Sequence, residues 1–163
     1  MVQALLDQRR RAGADTHDEM WNGVLHMAPA PRDVHAVLAH QLAVLLDPVA
    51  RAAGLVACAE FNLGSADDYR VPDLGLHREP GWGTYAVTAA LVVEILSPGD
   101  ETWEKLPFYA AHEVDELVVV DPDQRTVQWL ALTAAGYGDV ERSAVIDFGP
   151  VELADRVDWP AVR

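Results

Sequence analysis

At 163 residues, half of them hydrophobic, the chain is long enough for one domain with a real core, over 1–163, and short for two. Its net charge of −14 argues against a broad basic face gripping duplex nucleic acid, although net charge governs long-range steering and not any one local site. A single cysteine, Cys58, excludes an internal disulfide and a cysteine zinc cage, and in its apolar surroundings it reads as a buried structural thiol.

The N-terminal apolar stretch before Arg9-Arg10-Arg11 is too short for a signal peptide. No segment approaches the roughly 18 uninterrupted apolar residues of a membrane span, so the expected location is cytoplasmic, with no membrane partner. Leu5 to Ala12 reads as a short helix. Glu19 to Met27 reads as a strand, with Asn22-Gly23 as a turn or bulge signal. After Pro29-Ala30-Pro31, the residues Val34, Val37, Leu38, Leu42, Leu45 and Leu46 recur at helical spacing. They predict a helix from Asp33 to Ala53, kinked or divided at Pro48 and capped by Gly54.

Strand periodicity follows, over Leu55 to Leu63, Val71 to His77 and Ala89 to Leu96. The last of these is apolar on both faces, as a central strand should be. A short helix is expected between Thr102 and His112, with Leu106, Tyr109 and Ala110 facing inward. Leu117 to Val120 and Thr126 to Leu132 form a hairpin around Asp121-Pro122-Asp123-Gln124, which reads as a turn and not as a calcium loop. Tyr137 to Ile146 completes an edge strand. The fold class is α/β, with a mixed central sheet flanked by helices.

Glu94 interrupts the most apolar strand, where an uncompensated buried carboxylate would cost several kcal/mol. The bland alternative is a solvent-facing position at a sheet edge. Asp73, at the start of the preceding strand behind Pro72, is its natural companion, since two carboxylates from adjacent strands can hold one hard divalent ion. Taken alone, Asp73 could equally be a strand-start acid. Lys105 is the only lysine in the chain, against a background of arginine, and points to a site that wants a compact ammonium. Its replacement by methionine should cost turnover and leave folding nearly unchanged.

The ordered set Arg70-Val71-Pro72-Asp73, Val92-Val93-Glu94-Ile95-Leu96-Ser97-Pro98, Lys105, Tyr109 and Leu117-Val118-Val119-Val120-Asp121-Pro122 resembles the Uma family of restriction endonucleases. That family lies within the PD-(D/E)xK nuclease superfamily, and the resemblance runs from Glu19 to Leu132. It implies a restriction-endonuclease-like fold and a Mg²⁺ or Mn²⁺ ion held by Asp73, Glu94 and the adjoining Ile95. It also implies that Lys105 polarises the attacking water or the phosphate, and that Glu19 is a further acid brought in from an early element. The expected activity is hydrolysis of DNA phosphodiester bonds, with DNA bound weakly and a homodimer left open. His35 stands where relatives carry a histidine, and reads here as a helix-terminal or core residue. The chain departs from the superfamily pattern in having Leu96 at the usual lysine position, a shortened Ser97–Lys105 segment, and Glu101 where relatives show aspartate. Those departures, with the acidity, leave a second reading: a catalytically silent nuclease-fold module that binds a protein or nucleic acid.

Overall fold

The computed structural model describes residues 2–28, 32–79, 81, 83–99 and 101–161. In chain order these form α1 (Val2–Arg11), β1 (Glu19–Trp21), β2 (Val24–His26), α2 (Asp33–Ala52), β3 (Val56–Ala59), β4 (Asn62–Ser65), β5 (Asp68–Arg70), β6 (Leu74–His77), β7 (Tyr85–Ala86) and β8 (Leu91–Ile95). A 3₁₀ turn (Thr102–Lys105), α3 (Leu106–Ala111), β9 (Glu116–Asp121), β10 (Thr126–Thr133), β11 (Gly136–Asp139) and α4 (Pro150–Arg156) follow.

The strands make two sheets where the sequence predicts one. The larger runs β11-β10-β9-β8-β6-β3 and the smaller β2-β1-β5-β4-β7. In the larger, only β8 and β9 pair in parallel, joined by the crossover that carries α3. β8 is buried at every position, which is why its sequence reads as a continuous apolar run. Leu91, Val93 and Ile95 face one cluster with Leu38, Leu42 and Leu46 of α2. Val92 faces the other cluster, with Leu63, Phe108 and Tyr109. Strand alternation therefore turns Glu94 toward α3 and the smaller sheet.

Several boundaries differ from the sequence reading, each for a physical reason. The stretch 55–63 is two strands in two different sheets, because Glu60 adopts a positive φ of 49° and redirects the chain. The stretch 71–77 starts its strand only at Leu74, since Pro72 has no N–H for a ladder. A separate strand, β5, precedes it. α2 passes Pro48 as one helix, and Gly54 takes a positive φ just beyond the Ala53 cap. β11 stops at Asp139 because the following loop is claimed by Glu116. That buried carboxylate accepts hydrogen bonds from Trp129 Nε1 at 2.8 Å, from the Ala144 N–H at 2.7 Å and from Ser143 Oγ. α4 opens on Pro150 behind Gly149 and was not predicted. Cys58 is half-buried on β3 and not fully enclosed. The Asp121 turn is as expected: Asp121 Oδ1 accepts the N–H groups of Asp123 and Gln124. Among the described residues, no helix is long and apolar enough to cross a membrane.

Candidate active site

Extending the β6–β8 register by one position sets Asp73 opposite Glu94 and Pro72 opposite Ile95. Asp73, just ahead of β6, thus lies beside the Glu94 end of β8, and both carboxylates line one cleft. The Ile95 N–H, beyond the last paired position of β8 with β6, donates to Asp73 Oδ2 at 2.7 Å. Pro72 also cannot donate to the Ile95 carbonyl, so the start of β6 makes no claim on that oxygen. His35, in the first turn of α2, places Nε2 3.0 Å from Asp73 Oδ1. The sequence reading of His35 as a helix-terminal residue holds, and to it the structure adds a contact with the candidate site.

Lys105 ends the 3₁₀ turn and reaches back despite the shortened segment. Its Nζ lies 2.9 Å from Glu19 Oε1 and 3.2 Å from Glu94 Oε1. It thereby joins an acid of the smaller sheet to one of the larger. The Tyr109 hydroxyl donates a short hydrogen bond to the same Glu94 oxygen. Both donors to Glu94 therefore sit on Oε1, and neither uses Oε2. From sequence Tyr109 faces inward on its helix and belongs to the set that carries the family resemblance, with no role assigned; a phenol one turn after the lone lysine was the available signal.

Burial drives the electrostatics. It pushes the Glu94 carboxyl up to about 7; Asp73 and Glu19 add to the rise, while Lys105 and Tyr109 oppose it. Burial alone would lower the Lys105 ammonium, but Glu94 and Glu19 overcome it and hold the lysine charged, above its ordinary value. Burial, then Glu94, keeps the Tyr109 hydroxyl protonated and donating.

The smaller sheet is tied to α3 by a stack of planar groups. The His26 ring lies on Trp21 with centroids 4.2 Å apart and planes at 13°. The Arg70 guanidinium sits 4.2 Å from the Trp21 centroid and 4.0 Å from that of Phe108. Arg70 is therefore buried and cannot join Arg32 and Arg78 in a basic patch, as its sequence would allow. Arg78 is itself paired with Asp115.

These residues open onto a cleft of about 520 Å³ lined by Glu19, His35, Asp73, Glu94 and Lys105, with His17, His26 and Arg32 also on its walls. Among the described residues, no group of three or more His, Cys, Asp or Glu side chains is gathered as a ready-made metal cage. The oxygen donors at hand are the Asp73 and Glu94 carboxylates, which line the cleft together, and the carbonyl of Ile95, which also lines it. That all-oxygen set fits Mg²⁺ or Mn²⁺, ions that commonly take one or two carboxylates and complete their shell with water and substrate phosphate.

No curated protein matches. A crystal structure of "a putative nuclease belonging to DUF820" from Anabaena variabilis ATCC 29413 superposes with a TM-score of 0.65 at 17% identity, over 85% of this chain and 90% of that one. It shares the fold. A chain of the DrdV–DNA complex reaches a TM-score of only 0.41 at 16% identity, over 71% of this chain and 10% of that one, too distant to bear on the fold. The sequence profile of Uma2, described as "Putative restriction endonuclease", matches residues 3–152, and the chain belongs to that family.

Proposed function

We propose that this protein is a nuclease that hydrolyses DNA phosphodiester bonds with a divalent ion, Mg²⁺ or Mn²⁺, at the Asp73–Glu94 pair. Membership of a restriction-endonuclease family supports a nuclease. The observation that carries the finer reading is the pair of carboxylates lining one cleft, with Asp73 beside the Glu94 end of β8. Glu94 keeps Oε2 clear of both its donors.

Asp73, Glu94 and the Ile95 carbonyl would hold the ion. When bound, it supplies a water of lowered pKa and neutralises charge developing on the phosphate. The remaining roles belong to the chain's own side chains. His35 and the Ile95 N–H each take one oxygen of Asp73, which fixes the plane of that carboxylate and leaves a lone pair on each oxygen. Tyr109 anchors Glu94 through Oε1. The Lys105 ammonium, held charged at the cleft wall, is placed to stabilise negative charge on a reacting phosphate.

The test is incubation of purified protein with plasmid and linear DNA, with Mg²⁺, Mn²⁺ or EDTA, beside an Asp73→Ala control. Cleavage that needs the ion and vanishes in the variant is expected. Absence of cleavage with either ion would overturn the enzyme reading. The silent binding module, which the net charge of −14 favours, would then take its place.

A further inference from the structure

We propose that Glu19 is a positioning residue that holds the Lys105 ammonium in place, and not a ligand of the divalent ion. The inference rests on the metal-nuclease reading for its consequence, but its evidence is the separate way in which the two glutamates are used.

A carboxylate offers about four lone-pair sites on its two oxygens. Glu19 spends three of them. Oε1 accepts the Val71 N–H at 2.8 Å and the Lys105 ammonium at 2.9 Å, and Oε2 accepts the Trp21 indole N–H at 2.8 Å. Both oxygens are occupied, and the residue is only 7% exposed. Glu94 differs: its two donors share Oε1 and leave Oε2 unclaimed by either. An ion taken up at Glu94 therefore meets an oxygen free of both donors, whereas Glu19 has only one lone-pair site left, on the Oε2 that already accepts the Trp21 indole. Bringing a cation to Glu94 also weakens the hold of that carboxylate on Lys105, since like charges repel. Glu19 is then the carboxylate that keeps the ammonium from swinging away.

The surroundings of Glu19 suit an anchor. Trp21, its neighbour in the hairpin, is stacked between His26 and the buried Arg70 guanidinium, which in turn lies on Phe108 of α3. Lys105 directly precedes α3. The same stack thus fixes both the carboxylate and the backbone that carries the lysine. A group so fixed from two sides sets where the ammonium stands without touching the reacting atoms itself.

Two readouts test this on the intact protein. Mn²⁺ affinity is measured by titration calorimetry for wild type, Glu19→Gln and Asp73→Asn. Because Lys105 is the only lysine, an amine-acylating reagent followed by peptide mass spectrometry reads its release from the carboxylates directly, apart from the N-terminus. We expect Glu19→Gln to bind Mn²⁺ within about threefold of wild type. We expect its Lys105 acylation rate to rise about tenfold with Mn²⁺ present, and its kcat to fall at least tenfold with KM little changed. Trp21→Phe, which frees only Oε2, should move acylation and kcat the same way by less, and guards against misfolding of the first variant. A tenfold or greater loss of Mn²⁺ affinity in Glu19→Gln would overturn the proposal, as would unchanged acylation of Lys105. If wild type binds no Mn²⁺ and cleaves nothing, the metal-nuclease reading fails by itself. The acylation rates, read in metal-free protein, then decide whether Glu19 anchors the lysine.

Discussion

Glu94→Gln in the metal-free protein should convert a functional loss into a pH-dependent gain of stability. Glutamine keeps the shape of the side chain, can accept from Tyr109 and removes the charge that burial disfavours. The Glu94 carboxyl is pushed from an ordinary 4.5 up to about 7 in the fold. A raised folded value means that the native state holds the proton more tightly than the unfolded chain does. The stabilising contribution is therefore fully present below 4.5 and is lost as pH rises through 7. At about 1.4 kcal/mol per pKa unit, the wild type loses about 2 kcal/mol from this group between about pH 5.5 and about pH 8.

The variant has no such titration, so ionisations that do not interact with Glu94 cancel when the two proteins are compared at each pH. Urea unfolding in EDTA at the two pH values measures the difference. The advantage of Glu94→Gln over wild type should grow by about 2 kcal/mol on going to the higher pH. Uptake of Mg²⁺ at the proposed site of the folded state would narrow that gap, by stabilising wild type more than the variant. A difference between the two proteins that stays constant with pH, within about 0.5 kcal/mol, would refute the claim that burial governs this carboxylate.

Lys105→Met should cost at least tenfold in cleavage, about 1.4 kcal/mol in the barrier. It should not be neutral for folding, as the sequence led one to expect: it leaves two buried glutamates facing each other, and a loss of about 3–5 kcal/mol at neutral pH is the expected outcome in urea unfolding. A variant as stable as wild type would place the ammonium outside that carboxylate pair. Glu116→Gln replaces one acceptor oxygen by a donor among three groups that all donate, so about 1–3 kcal/mol of stability should be lost. Glu116 pairs with Leu91, at the opposite end of β8 from Glu94, so cleavage should be retained; unchanged stability would show that Glu116 does not hold the 143–146 segment.

What the sequence could and could not convey follows from where the site lies. Glu94 was legible because a strand buried on both faces has an unmistakable apolar pattern, and an acid within it demands compensation. Asp73 was legible from Pro72, whose missing N–H delays the strand and whose position now accounts for the uncommitted Ile95 carbonyl. Lys105 stood out by being alone. The partition into two sheets was not legible, because alternation along 55–63 looks the same whether the chain continues in one sheet or switches at Glu60. Everything that depends on that partition was hidden with it: the placement of Glu19 in the smaller sheet, the indole and amide that saturate it, and the burial of Arg70 between two rings. Lys105 bridges Glu19 of one sheet and Glu94 of the other. The half of the site written in local pattern was therefore the half that would hold the ion. The half that positions the lysine is encoded in long-range pairing, which residue spacing does not reveal.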